Sequence, residues 1–233
     1  AAAGIMGHAD LKLGADVAPI LDALQAASPN RFRGIRHNIT WNNDPMWDDR
    51  ETEGVVTSPN FIEGAKVLYQ KGLRLDIMQS FTQMPEIAQF ARSVPDLPII
   101  VNHVGGVSRV GIYAGKDDEI IPVWKDGVTA LAACPNVTMK LGGLGMPRFG
   151  FGWHTREVPI GSEELAEAMK PWMQHCIEQF GPDRCMFESN FPPDKVSFSY
   201  NIMYNAFKLL SKEYSSPERA ALFHDTAIRV YGI

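Results

Sequence analysis

The side chains best suited to chemistry stand where apolar runs stop. Ile99-Ile100-Val101 leads into Asn102-His103-Val104-Gly105-Gly106. A histidine in that place, with an ordinary pKa of about 6.5, can move a proton at working pH. It can equally be a core histidine bonded to a backbone carbonyl. Arg36 and His37 end a second run; adjacent strand residues point opposite ways, so one of the two faces the centre of the fold. A guanidinium there would fork onto a carboxylate. Lys140 lies between Met139 and Leu141, and a lysine in a buried strand needs a partner, either Glu188 or an anionic substrate. Glu188 and Asn190 sit two apart, which in a strand puts them on one face about 6.6 Å apart.

Other polar residues have weaker claims. His8 ends a short first run and lines the mouth if that run is a strand. Arg109, Arg148, His154 and Arg156 belong to loops and read as either ligand contacts or a solvated face. His175 and His224 fall in helices and read as structural, and Met169, Met173 and Met203 read as core.

The elements that must position these residues alternate. Strands are expected at Gly4–Leu11, Phe32–His37, Leu73–Met78, Ile99–His103, Val137–Gly143 and Arg184–Asn190. Helices are expected over Asp16–Ala27, from Ser58-Pro59 to Gly72, from Pro85 to Pro95, from Pro122 through Leu131, and over Ser162–Phe180, with two more closing the chain. A long polar loop carries Trp41 and Trp47, and another spans Met146–Arg156. Six strand-helix units without hairpin signals predict a parallel α/β sheet in one domain, 1–233. A closed barrel needs eight such units. A six-stranded doubly wound sheet is the structural alternative, although Gly4-Ile5-Met6-Gly7 is no phosphate fingerprint.

The 233 residues are 45% hydrophobic with a net charge of −5 spread without blocks. That composition argues against nucleic-acid binding, and no apolar run approaches the roughly twenty residues of a membrane span. Cys134, Cys176 and Cys185 lack close spacing, which predicts reduced thiols and a cytoplasmic protein. A homo-oligomer is left open.

Gly34-Ile-Arg-His37 with Trp41, Asn102-His-Val-Gly-Gly106, Lys140-Leu-Gly-Gly143, and Phe180-Gly-Pro-Asp-Arg184 leading to Glu188-Ser-Asn-Phe-Pro192 form an ordered set. Together with the closing Ala227-Ile-Arg-Val-Tyr231-Gly232, the set resembles the amidohydrolase-related TIM-barrel hydrolases, which include lactonases. The resemblance implies a (β/α)8 barrel of which this chain supplies the third to eighth strands, the carboxyl-terminal three quarters. It implies a hydrolase that attacks the carbonyl of a small cyclic ester or related carboxylated substrate. His103, Asn190 and Glu188 would be catalytic, and Arg36, Lys140, His8 and Arg148 would bind substrate. A divalent metal, zinc or manganese, is implied where the family's first strand supplies His-x-His, in which case His103 is a candidate ligand. No His-x-His occurs here, and the family also contains metal-free lactonases. Where the family commonly has aspartate this chain has Asn190, which cannot take a proton. Glu188 then reads as a displaced base, Asn190 as a neutral anchor, or the site as impaired. A metal-dependent decarboxylase and a non-catalytic ligand-binding barrel are the alternatives.

Overall fold

A computed structural model describes residues 2–45 and 52–233, so Trp47 lies outside the described residues. Among the described residues six strands form one parallel sheet: β1 (Ile5–Gly7), β2 (Phe32–Asn38), β3 (Arg74–Met78), β4 (Ile99–Val101), β5 (Val137–Leu141) and β6 (Cys185–Phe187). They are hydrogen-bonded in the sequential order β1-β2-β3-β4-β5-β6. A doubly wound sheet would reverse direction at a switch point. Monotonic order means that every crossover turns the same way, as in the wall of a (β/α) barrel.

The two faces of the sheet differ in what they bury. Ile35, Leu75, Ile77, Ile99, Val101, Val137, Met139 and Leu141 belong to the large core cluster that includes the helices' apolar faces. Residues one step out of phase point inward. Ile100 and Met186 form a separate small cluster with Val230, against which Ala227 and Tyr231 pack. Arg36, Asp76 and Lys140 share that inner face, with Arg36 and Asp76 paired directly across β2 and β3.

The helices are α1 (Ala18–Ala27), α2 (Pro59–Gln70), α3 (Met84–Ser93), α4 (Asp117–Ala132), α5 (Ser162–Phe180), α6 (Tyr200–Leu210), α7 (Ser216–Ala220) and α8 (Thr226–Tyr231). Ser58 caps α2 as its sequence predicts, accepting a hydrogen bond from the Phe61 amide. Helix α4 departs from expectation by starting five residues before Pro122. Asp117, Asp118 and Glu119 occupy its first turn, where their charge favours the helix N-terminus. A π turn over Ala221–Asp225 joins α7 to α8. Helix α8 is tied beneath the sheet: the Arg74 guanidinium donates from Nε to the Val230 carbonyl at 2.8 Å. The three cysteines are buried free thiols, and burial pushes Cys176 and Cys185 well up from the usual thiol range. No described helix is long and apolar enough to cross a membrane.

Candidate functional site

The carboxyl ends of the strands carry the unusual backbone. Among the described residues three non-glycine residues have positive φ, His103 (55°), Val104 (46°) and Asn190 (46°), all just past β4 or β6. Left-handed backbone at a β-branched residue is costly and persists only where its surroundings impose it. Here the indole of Trp124 donates to the Val104 carbonyl at 2.7 Å, and Gln79 donates to the Asn102 carbonyl at 3.0 Å. The turn at His103 is therefore fixed from two sides.

That turn delivers His103 to Glu188. Nδ1 of the imidazole lies 2.5 Å from Glu188 Oε1, and the His103 backbone N–H donates to the same oxygen at 3.0 Å. Paired glycines after β5 make room. A Cβ at Gly142 would sit 2.2 Å from the Glu188 carbonyl oxygen, and one at Gly143 would sit 2.5 Å from His103 Nδ1. Burial by itself pushes the Glu188 carboxyl up, but His103, Lys140 and Arg36 outweigh it and hold the group at about 2. So acidic a carboxylate is a poor acceptor for a proton from water. With Nδ1–H directed at Glu188, Nε2 is the basic nitrogen of the neutral ring.

Lys140 does not pair with Glu188. Its ammonium lies 2.6 Å from Oδ2 of Asp76, a carboxylate with no exposed surface. The Tyr231 hydroxyl donates to the other Asp76 oxygen at 2.9 Å, and Arg36 stands 3.8 Å from Oδ2. Burial, with Asp76 beside it, keeps the Tyr231 phenol protonated far beyond its usual range. Arg36 also donates to the Asn102 carboxamide oxygen at 3.2 Å, and Asn102 is in turn anchored to the Ile77 carbonyl. Arg36, Asp76, Lys140, His8 and Tyr231 help to line a cavity of about 680 Å³, whereas Asn102, His103, Glu188 and Asn190 are not among its lining residues. His8 reaches it from just past β1, with Nδ1 3.3 Å from the Arg36 carbonyl oxygen. His37 points the other way and packs edge-on against Phe61 of α2, and burial lowers its pKa.

The loop candidates go elsewhere. Arg148 is not among the residues lining the cavity; its guanidinium lies over the Phe149 ring, and burial lowers its pKa. Arg109 pairs with Asp117 and stacks over Phe151, and Arg156 pairs with Glu164. His154 lies exposed in the same loop as Arg156. The last strand is shorter than the apolar run that predicts it. The strand stops at Phe187, so Glu188 and Asn190 lie beyond the ladder, and Asn190 adopts a left-handed backbone with φ of 46°. Asn190 Nδ2 donates to Asp194 Oδ1 at 2.7 Å.

Asp76, Asp194 and Tyr231 are the groups that sequence reasoning passed over. Asp76 had a visible signal, a lone carboxylate inside an apolar strand. Asp194 had none, because it follows two prolines in what reads as a loop.

The protein-family profile described as amidohydrolase matches residues 1–233. The y4mH protein of Sinorhizobium fredii is 35% identical over 232 residues, covering 99% of this chain and 70% of its own length. L-fucono-1,5-lactonase of Burkholderia multivorans is 24% identical over 204 residues, 87% of this chain and 64% of the lactonase. The chain therefore spans less than two thirds of that lactonase. Among solved structures, an amidohydrolase from Burkholderia multivorans with bound HEPES superposes with a TM-score of 0.80 at 24% identity, covering 99% of this chain and 74% of that one. A zinc-bound crystal structure, also of an amidohydrolase from that organism, gives 0.78 at 24% identity, with the same coverage. These likenesses establish the barrel fold. Among the described residues no group of three or more His, Cys, Asp or Glu is placed to hold a metal ion, and His103 Nδ1 and both Asp194 oxygens are already engaged. The described residues do not by themselves make a metal site.

Proposed function

The chain belongs to the amidohydrolase family, and we propose that it hydrolyses a small uncharged lactone by water attack on the ring carbonyl. The observation that carries this reading is the His103–Glu188 pair, held at the carboxyl end of the sheet with Nε2 as the basic nitrogen. Nε2 takes a proton from water while the hydroxide adds to the carbonyl carbon. Arg36 stabilises the charge that develops on the carbonyl oxygen. Collapse of the tetrahedral intermediate breaks the ring C–O bond, and the proton on Nε2 passes to the departing alkoxide, yielding an open-chain hydroxy acid. Glu188 orients the imidazole and stabilises its protonated form, a role that suits an acidic carboxylate better than that of base.

Charge balance supports an uncharged substrate over a carboxylated one. Lys140 is matched by Asp76 at 2.6 Å, and Arg36 is shared between Asp76 and the Asn102 amide. Little uncompensated positive charge remains to repay desolvation of a substrate carboxylate. The relatives named L-fucono-1,5-lactonase and L-rhamnono-γ-lactonase point to the same class. Ring opening is followed by acid release from L-fucono-1,5-lactone, L-rhamnono-γ-lactone and 2-pyrone-4,6-dicarboxylate. The reading expects turnover of a sugar lactone in preference to the dicarboxylate. Absence of ring opening with every lactone would overturn it.

A further inference from the structure

Asn190 is an ambiguous group, since a carboxamide can present either a donor or an acceptor to whatever lies before it. Its surroundings remove the ambiguity. Asp194, 1% exposed, sits one turn on, in the short helix Pro193–Val196. Its backbone N–H donates to the Asn190 carbonyl at 3.1 Å while Asn190 Nδ2 donates to Asp194 Oδ1 at 2.7 Å. Asp194 Oδ2 accepts the backbone N–H of Gly145 at 3.1 Å, which fixes the carboxylate against the loop after β5. Only glycine permits that approach, because a Cβ at 145 would stand 2.9 Å from Asp194 Cβ and Cγ. The Ser197 hydroxyl binds the Gly145 carbonyl and closes the arrangement. An ionised carboxylate accepts only, so the amide must give it NH2. No donor among the described residues reaches Asn190 Oδ1.

We propose that Asp194 is a positioning residue that locks the Asn190 carboxamide with its Oδ1 presented as a hydrogen-bond acceptor for water or a substrate hydroxyl. The lock has a direction that protonation reverses. Burial pushes the Asp194 carboxyl up and the neighbouring Glu188 carboxylate adds to this; the Asn190 and Gly145 donors and His103 pull it down, leaving it at about 6. His103 from the turn after β4 and Glu188 just past β6 are the titratable groups that act on it, and Lys195 is its neighbour in the chain. Below that pH the Gly145 N–H still occupies Oδ2, so the added proton sits on Oδ1 and donates. Asn190 then turns its amide over and presents NH2. An acceptor becomes a donor.

The orientation is independent of the reaction; its effect on turnover rests on the lactone-hydrolase reading. Two readouts keep these apart. The side-chain 15N–1H2 signals of Asn190 in the full chain should titrate with a midpoint near pH 6. They should titrate still in His103→Gln and stop titrating in Asp194→Asn. Signals indifferent to pH between 4.5 and 8, or an inflection that vanishes in His103→Gln and survives Asp194→Asn, would overturn the proposal; so, without any variant, would a wild-type titration in which the Asp194 carboxyl 13C signal and the Asn190 amide signals do not share a midpoint. In the lactone assay, Asp194→Asn mimics the protonated form and should lower kcat/KM about 10-fold, the worth of one hydrogen bond. With Asn190→Ala already in place it should cost nothing further. A full additional loss in that double variant would show that Asp194 does not act through Asn190.

Discussion

Glu188 and Asp194 stand six residues apart and are driven in opposite directions. Glu188 drops from 4.5 to about 2, so the folded protein gains stability from its ionised form above pH 4.5 and loses it as pH falls toward 2. Asp194 rises from 3.8 to about 6, so its contribution is present below pH 3.8 and lost as pH climbs through 6. Ionised Glu188 contributes on the order of 3 kcal/mol at neutral pH, since a tenfold change in proton affinity is worth about 1.4 kcal/mol. Glu188→Gln should therefore melt at markedly lower temperature than wild type at pH 7, with the difference shrinking to about a quarter of that by pH 2.5, as followed by circular dichroism. Equal differences at both pH values would contradict the His103–Glu188 pairing. These partnerships were hidden from sequence reasoning for a physical reason. His103 meets Glu188 across 85 residues and Lys140 meets Asp76 across 64, so which carboxylate pairs with which base depends on strand register. Alternation presumes a strand as far as Asn190, and the ladder ends at Phe187 with left-handed backbone at Asn190.

The elements were more legible than the contacts, because the apolar runs and their glycine stops mark strand ends directly. The six parallel strands and the capped start of α2 all appear where patterning puts them. The strands are shorter than the apolar runs suggest: β4 ends at Val101 and β6 at Phe187, since the residues beyond them leave the ladder to form the site. The glycines after β5 serve that site as much as the turn. Gly143 has φ of 77° and no room for a Cβ beside His103. Gly143→Ala should cost about 1–3 kcal/mol in urea unfolding and displace the imidazole, reducing lactone turnover more than a surface Gly→Ala of equal stability cost. A fully active Gly143→Ala protein would show that His103 need not sit where the turn holds it.

At the scale of the whole molecule, one sheet separates two chemical environments. The outer face is closed by helices over an apolar core, while the inner face carries Asp76, Lys140 and Arg36 with α8 packed near Ile100 and Met186. A buried charge that loses its partner is more expensive than the pair is worth. Lys140→Met should thus destabilise the protein by about 3–5 kcal/mol in denaturant titration, with Asp76→Asn in the same chain recovering much of it. Failure of the second change to rescue would place the loss in packing and not in charge. The barrel family was readable from the ordered strand-end motifs, and the inward charge cluster was not, because Tyr231 arrives from the far end of the chain. The central claim, that His103 is the proton acceptor of a lactone hydrolase, is tested most directly by the kcat/KM of His103→Gln for ring opening of a sugar lactone. The account predicts a loss of about 10²–10⁴-fold with the fold intact by circular dichroism; a folded His103→Gln protein within a few-fold of wild type would contradict it.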